Sequence, residues 1–326
     1  MLRPIKASGN VGRGVEFGDL QGMKIAVMGA GSTGGFFGAM LSRGGHEVAL
    51  VARGAHLDAI RTNGIRVIRE TEEFVVRCRS TDDPNEIGPV DLVLLCVKTY
   101  QNQTAIPMML SLIRENTTVL CLQNGVDSYL AAREVLGTET VLPGAVFIEA
   151  ARLGPGEVRQ TGSLVRMILG ETDGRETPRC IAIRNAFVDV GIHTEVLPDI
   201  RAGQWEKFLF IATMAGVTSM ARATLAELMP QNHWRKVVHS CLAEIESVAR
   251  TAGVNLPLDI LPRTIAYIEE HLADLEASMH HDLMAGRPLE LDSLNGAVVR
   301  AGLDSGVPTP INDVIYAMLK RYQEGS

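Results

Sequence analysis

The chain has 326 residues, of which 46% are hydrophobic, so it is long enough to bury the cores of two domains. Its formal net charge of −7, without a block of like charges, argues against a nucleic-acid-binding surface. No apolar run approaches the ~18 residues that cross a bilayer, and the five cysteines are widely spaced without a CxxC pair. We therefore expect a cytoplasmic protein with reduced cysteines and a polar, disordered extension over residues 1–22.

The first predicted element is a buried strand over residues 23–28 that runs directly into a glycine turn. The turn has the sequence Gly29-Ala30-Gly31-Ser32-Thr33-Gly34 and leads into an apolar helical stretch. In this context a GxGxxG pattern is the fingerprint of dinucleotide binding. Its first glycine permits the tight turn, its second lets the backbone approach a pyrophosphate, and its third lets the helix pack closely on the strand. We predict that this turn binds a cofactor; a glycine-rich turn without a ligand is the alternative.

The second predicted strand, over residues 47–52, ends where an NAD-binding chain usually carries an acid for the ribose 2′-hydroxyl. No Asp or Glu occurs from Val48 to Leu57, and the residue after the strand is Arg53. A guanidinium group can hold a 2′-phosphate through two hydrogen bonds. These observations favour NADPH over NADH, and a surface arginine beside a pocket is the alternative.

Apolar strands alternate with helical stretches up to about residue 120, which is typical of a parallel, doubly wound sheet. Its later strands are predicted over residues 91–97 and 118–122. Residues 141–142, 156–160 and 164–169 are expected to form shorter strands, broken by glycines, in an antiparallel extension.

Beyond Pro198 the pattern changes to long helical periodicity, with helices predicted over residues 234–252 and 265–284. We therefore predict an α/β fold with two domains. A Rossmann-like doubly wound parallel sheet that binds NADP occupies residues 23–198, and an all-helical substrate and catalytic domain occupies residues 199–326.

Two polar side chains follow predicted strands of the sheet. Lys98 comes after the strand over residues 91–97, and Asn124 comes after the next strand. Ligands of open α/β sheets bind beyond the carboxyl ends of the strands. Lys98 is therefore a candidate for contact with the cofactor phosphates or ribose, and Asn124 for contact with the nicotinamide or the substrate. The alternatives are a solvated lysine and an asparagine that stabilises its turn.

Six motifs occur in order along the chain: GAGSTGG at 29–35, CVKT at 96–99, LQNG at 122–125, WEKF at 205–208, SMHHD at 278–282 with Glu290 eight residues later, and GVPTPIN at 306–312. Together they resemble the ketopantoate reductases (2-dehydropantoate 2-reductases) from residue 23 almost to the C-terminus. Members of that family reduce 2-dehydropantoate to pantoate with NADPH, on the pathway to coenzyme A. They do so in a cleft between a Rossmann domain and a helical domain. The resemblance implies the same architecture and NADPH-dependent reduction of a 2-oxo acid here.

The resemblance also implies roles for single residues. Lys207 takes the position of the family's catalytic lysine, which protonates or polarises the ketone oxygen as hydride arrives. Glu290 matches a glutamate near the cofactor and that lysine, Ser278 matches a substrate-binding serine, and Ala151 matches a backbone position near the nicotinamide. The alternatives are a surface lysine, an acid at a helix start and an exposed helical serine.

The chain departs from the best-known members at three substrate-contacting positions. Those members carry asparagines four and eight residues after the lysine and three before the serine, where this chain has Ile211, Ala215 and Leu275. Positions four and eight share the helical face of the lysine, so a more apolar substrate wall is expected. Arg222 is a candidate for binding the substrate carboxylate instead, and a solvated arginine is the alternative. Because missing amides alter selectivity, reduction of another bulky 2-oxo acid is an alternative function. A non-catalytic NADPH-binding sensor is the alternative of a different class.

The cluster His280-His281-Asp282 does not predict a metal site. Adjacent helical residues point about 100° apart, and no further His or Cys cluster completes a ligand set. We expect a small-molecule 2-oxo acid as the partner, and neither nucleic acid nor membrane. The long apolar C-terminal helices are compatible with a homodimer or with the second core of a monomer.

Overall fold

The structure is a computed structural model, and it describes residues 22–271 and 276–325. Apart from Gly22, the predicted N-terminal extension lies outside the described residues, and so does Leu275. Within the described residues, no helix is long and apolar enough to cross a membrane.

A ten-stranded sheet forms the N-terminal part of the molecule. Its strands are β1 Lys24–Met28, β2 Glu47–Val51, β3 Ile65–Ile68, β4 Glu73–Val76, β5 Arg79–Thr81, β6 Leu92–Leu95, β7 Thr118–Cys121, β8 Val141–Gly154, β9 Glu157–Leu169 and β10 His193–Val196. The strand order is β4-β3-β9-β8-β7-β6-β1-β2-β5, and β10 pairs with β9. Pairing is parallel from β8 to β5 and antiparallel between β8 and β9 and between β3 and β4.

The helices are α1 Ser32–Arg43, α2 Gly54–Asn63, α3 Asn102–Met108, α4 Ser128–Leu136, α5 Pro178–Val188, α6 Ile200–Ala221, α7 Leu225–Leu228, α8 Asn232–Thr251, α9 Ile260–Glu270, α10 Ser278–Met284, α11 Asn295–Ser305 and α12 Pro310–Lys320. Those up to α5 belong to the sheet region, and those from α6 onward form the helical C-terminal region.

Strand β1 shows why the sheet carries helices on both faces. Ile25 and Val27 belong to one hydrophobic cluster with α1, whereas Ala26 and Met28 belong to a second cluster with α3 and α4. A strand that is buried on both faces needs a continuous apolar run rather than an alternating one, and this strand has such a run. The predicted Rossmann-like doubly wound parallel sheet and helical C-terminal region are confirmed.

Strands β8 and β9 are longer than the sequence analysis predicts. They contain 14 and 13 residues and pair with each other in the expected antiparallel sense. Gly162 has a φ of +70° inside β9 without ending the strand, and a register shift between Ile148 and Glu149 absorbs the irregularity. The prediction of short strands ended by glycines is therefore wrong.

The predicted helix over residues 234–252 corresponds closely to α8, but the predicted helix over 265–284 is two helices. Helix α9 ends at Glu270 and α10 begins at Ser278. Ile268 and Met279 are both buried and stand about three helical turns apart in the sequence, so the apolar period continues across the break. Periodicity alone therefore does not reveal the interruption.

Helix α6 is the central element of the helical region and packs on α8, α10 and α12. Asp199 caps its N-terminus by accepting a hydrogen bond from the backbone N–H of Ala202, at 2.9 Å. The predicted domain boundary lies directly before this capped start and stays a prediction. Near its start α6 also contacts β8, where Gln204 Nε2 donates to the carbonyl oxygen of Gly144 at 3.1 Å.

Candidate active site

The glycine turn joins β1 to the start of α1. Gly29 has a φ of +98°, and a Cβ on it would lie 2.7 Å from Val97 Cγ1. A Cβ on Gly34 would overlap the carbonyl oxygen of Gly29 and lie 2.8 Å from Val27 Cγ1. These two positions therefore require glycine, one for backbone conformation and both for close packing.

Gly31 is different because a Cβ on it would meet no atom within 4 Å. The residue precedes the first turn of α1, which has no acidic side chain and, among the described residues, no capping side chain. The first-turn backbone N–H groups and the helix dipole make such an end favourable for an anion. The turn, with Ala30, Ser32 and Thr33 between its glycines, therefore fits a dinucleotide pyrophosphate.

Arg53 lies next to this turn. The backbone N–H of Ala30 donates to the carbonyl oxygen of Val51, the last residue of β2, at 3.0 Å. Arg53 follows two residues later, at the N-terminus of α2. Its side chain is exposed and donates to Met108 Sδ at 3.4 Å, and it takes part in no ion pair within the described part of the chain. It is therefore available to a charged group bound at the turn.

Lys207 and Asn124, two of the predicted site residues, are in contact. The Lys207 ammonium, about two turns after the start of α6, donates to Asn124 Oδ1 at 2.8 Å and lies 5.6 Å from the centroid of the Phe147 ring. Burial lowers the pKa of Lys207 to about 8, although the charge of Glu290 acts in the opposite direction. This ammonium can therefore release its proton near neutral pH.

A second lysine is held by two carboxylates. Lys98 Nζ lies 2.9 Å from Glu290 Oε2 and 3.1 Å from Asp282 Oδ2. Burial alone would lower the pKa of Lys98, but the two carboxylates outweigh it and raise the pKa well above its usual value. Lys98 is thus a permanent cation beside Glu290.

Glu290 is almost fully buried and is fixed by the turn after β6 as well. Its Oε1 accepts from the backbone N–H of Thr99 at 3.1 Å, and the Thr99 hydroxyl lies 2.7 Å from Ser293 Oγ. Sequence reasoning missed Thr99, Ser293 and Asp282. Thr99 directly follows Lys98, so the rule that ligands bind beyond strand ends could have identified it. Asp282 could not be found in this way, because its contact with Lys98 joins two segments that are far apart in the chain.

The cluster His280-His281-Asp282 is divided between two environments. His281 contacts Glu276, while Asp282 accepts from Lys98 and from Arg287 Nε, the latter at 2.7 Å. No group of three metal-ligating side chains occurs in the described ranges. The sequence predicts neither a metal site at this cluster nor the contact of Asp282 with Lys98.

Three other predicted site residues lie farther out. Ser278 is exposed one helical turn before Asp282 on α10, and so lies on the face of that helix that reaches Lys98. Ala151 is exposed on β8, about 13 Å along the strand from Phe147. Arg222 directly follows α6, and the rise of the helix places it about 22 Å from Lys207. Its guanidinium lies over the Tyr322 ring. The structure thus does not bring Arg222 to Lys207.

The positions four and eight residues after Lys207 are apolar and follow it along α6. Ile211 is half-buried and packs against the core of the helical region, and Ala215 is 5% exposed. Neither side chain offers a hydrogen bond, so this face of α6 is apolar at both positions.

The family comparison agrees with this geometry. The model of the family described as Ketopantoate reductase PanE/ApbA matches residues 25–174, and the model of its C-terminal region matches residues 199–323. The chain belongs to the ketopantoate reductase family.

Relatives of this family member match along almost their whole length. It is 29% identical over 322 residues to the 2-dehydropantoate 2-reductase of Mesorhizobium japonicum, covering 92% of this chain and 97% of that protein. It is similar to the crystal structure of a PanE/ApbA family ketopantoate reductase from Ralstonia eutropha JMP134, with a TM-score of 0.86, 31% identity, and coverage of 92% and 98% of the two chains. It is also similar to a ternary structure of D-mandelate dehydrogenase with NADH and anilino(oxo)acetate, with a TM-score of 0.85, 27% identity, and coverage of 92% and 98%.

Proposed function

We propose that this member of the ketopantoate reductase family reduces a 2-oxo acid to a 2-hydroxy acid with NADPH, and that its substrate is 2-dehydropantoate. The observation that carries the proposal is the ammonium of Lys207, which has a pKa lowered to about 8 and donates to Asn124 at the carboxyl ends of the sheet strands. The ligands of open α/β sheets bind at this edge, where the glycine turn also lies.

Lys207 is the proton donor in this proposal. A nicotinamide bound at this site would supply the hydride to the carbonyl carbon of the substrate. Negative charge then develops on the carbonyl oxygen, and Lys207 transfers a proton from Nζ to it, so that the hydroxy acid and a neutral amine result. Asn124 orients Nζ through its 2.8 Å hydrogen bond, and Glu290 favours the charged form of Lys207.

The proposal assigns further residues to binding the cofactor and the substrate. The turn of residues 29–34 holds the pyrophosphate and Arg53 holds the 2′-phosphate. Lys98, kept charged by Glu290 and Asp282, faces the cofactor ribose or phosphates. Ala151 supplies a backbone contact near the nicotinamide, and Ser278 binds substrate.

Reduction of another bulky 2-oxo acid is the second candidate. Ile211 and Ala215 give this chain two apolar side chains where the family often has asparagines. A structural neighbour is a dehydrogenase bound to anilino(oxo)acetate, which carries an aromatic group next to its oxo acid. An apolar wall would favour substrates with large hydrocarbon side chains over those that present a hydroxyl.

The test is NADPH oxidation by the purified protein with 2-dehydropantoate and a panel of 2-oxo acids, with the Lys207→Ala variant as control. We expect the highest kcat/KM with 2-dehydropantoate and its loss in the variant. A higher kcat/KM with a branched or aromatic acid would favour the second candidate. NADPH binding without turnover of any acid would contradict the catalytic proposal and favour a sensor.

A further inference from the structure

His56 is a buried histidine that the proposed reaction does not use. It lies on α2, is 7% exposed, and contacts two segments that are distant in the chain. Its Nε2 lies 2.7 Å from the carbonyl oxygen of Ala30 in the glycine turn. Its Nδ1 lies 2.9 Å from the backbone nitrogen of Gly156, in the turn between β8 and β9.

These two contacts fix the tautomer of the ring. The backbone N–H of Gly156 can only donate, so Nδ1 accepts and carries no proton. The carbonyl oxygen of Ala30 can only accept, so Nε2 carries the proton and donates. The neutral Nε2–H form therefore satisfies both contacts, and a protonated ring would lose the one to Gly156.

We propose that His56 is a positioning residue for the cofactor, which holds the carbonyl of Ala30 and so fixes the glycine turn in the conformation that receives the pyrophosphate. Ala30 stands between Gly29 and Gly31, and glycines leave the backbone on both sides of it free to rotate. Its N–H is already held by Val51, and His56 holds its carbonyl oxygen, so both polar groups of its backbone are fixed. The inference rests on the proposed dinucleotide binding at this turn.

The surroundings favour the neutral ring. Burial lowers the pKa of His56, the Ala30 contact acts in the opposite direction, and the charge of Arg152 on β8 lowers the pKa further. The glycine turn contributes no charged side chain. Glu157, the first residue of β9, forms an ion pair with Arg66, with 2.8 Å between the carboxylate oxygen and the guanidinium nitrogen. The neutral ring, which makes both contacts, is therefore the form present at neutral pH, and protonation in acid would break only the contact to Gly156.

Two substitutions separate the two contacts. In His56→Gln, the side-chain amide can reproduce the Nε2 donor to Ala30 but not the Nδ1 acceptor. In His56→Asn, the side-chain oxygen can reproduce the acceptor for Gly156 but not the donor to Ala30. His46→Gln is the matched control, because His46 is also buried, at 8% exposure, but lies at the opposite end of α1 from the glycine turn.

The measurements are the Kd for NADPH by fluorescence titration and the KM and kcat for the 2-oxo acid at saturating NADPH. We expect His56→Asn to raise the Kd by about tenfold, with kcat and the oxo-acid KM nearly unchanged, since one hydrogen bond to a buried carbonyl is lost. His56→Gln should recover most of the affinity, and His46→Gln should bind like the wild type.

Equal Kd values for the wild type and His56→Asn would overturn the inference while leaving the proposed function standing. Equal losses of NADPH affinity in His56→Asn and His46→Gln would also overturn it, because replacing any buried histidine would then weaken binding. A wild type that binds no nicotinamide dinucleotide would overturn the proposed function as well.

Discussion

Glu290 acts on two lysines whose pKa values move in opposite directions. It contacts Lys98 directly, and together with Asp282 it raises the pKa of Lys98 against the effect of burial. At Lys207 burial prevails over the charge of Glu290, and the pKa falls to about 8. Titratable groups that are pushed apart in this way serve different roles. Lys98 is the fixed cation, and Lys207 is the group that can give and regain a proton.

The pH dependence of reduction follows from this assignment. In the proposed mechanism, reduction needs the ammonium form of Lys207, which is present below its pKa, so kcat/KM should fall as the pH rises through about 8. Because Glu290 favours the charged form, Glu290→Gln should move this fall to lower pH. Steady-state pH profiles of both proteins measure it. Glu276→Gln, at an exposed residue, is the control, and an inflection that does not move in Glu290→Gln would contradict the coupling.

Arg53 is the residue that we expect to select the dinucleotide in the proposed cofactor site. Arg53→Ala should weaken NADPH binding about tenfold to hundredfold, since charge-assisted hydrogen bonds to the 2′-phosphate are lost, and should leave NADH binding nearly unchanged. Kd values for both dinucleotides are the measurement. Arg61→Ala on the same helix, which removes an exposed arginine beside Asp82, is the control. Parallel losses for NADPH and NADH would remove the argument for NADP.

The junction of β1 and α1 contains two glycines that the structure distinguishes. Gly34→Ala should lower the free energy of unfolding by about 1–3 kcal/mol, because its Cβ overlaps backbone and side-chain atoms of β1 and the turn. Gly31→Ala should leave thermal stability nearly unchanged, since its Cβ enters open space, but should weaken dinucleotide binding by filling that space. Thermal unfolding and NADPH titration of both variants separate the two effects. Unimpaired NADPH binding by Gly31→Ala would place the pyrophosphate elsewhere.

The elements that the sequence predicts well are those with strong local signals. The strand and helix around the glycine turn are evident because a continuous apolar run and three glycines in the GxGxxG spacing occur together. The long β8–β9 pair is not evident, because Gly162 marks an irregularity inside a strand and suggests an ending. The break between α9 and α10 is hidden by an apolar period that continues in phase across it.

The candidate site as a whole is assembled from two regions. Lys98, Thr99 and Asn124 come from the sheet edge, and Lys207, Asp282 and Glu290 come from the helical region. The resemblance of the motifs predicts that Lys207 and Glu290 belong to the site. The ion pairs of Lys98 join segments more than 180 residues apart, so they depend on how the two regions dock. Their partners therefore could not be predicted from the sequence.

The contact of Asp282 with Lys98, which joins the helical region to the sheet region, should contribute to the free energy of unfolding. Asp282→Asn should lower the free energy of unfolding by about 1–2 kcal/mol, since it weakens the contacts with Lys98 and Arg287 that solvent partly screens. This corresponds to a fall in melting temperature of roughly 2–4 °C per kcal/mol. Asp259→Asn, at an exposed and distant ion pair, should melt like the wild type. A melting temperature of Asp282→Asn that equals that of the wild type would show that the contact contributes no net stability.

The most direct test of proton donation by Lys207 is a single-turnover measurement of NADPH oxidation at pH 7, with saturating 2-dehydropantoate or, if it is a better substrate, another 2-oxo acid. We expect Lys207→Ala to oxidise bound NADPH about 10²- to 10⁴-fold more slowly than the wild type, with an unchanged Kd for NADPH. Equal rates in the two proteins would contradict the role of Lys207 as the proton donor.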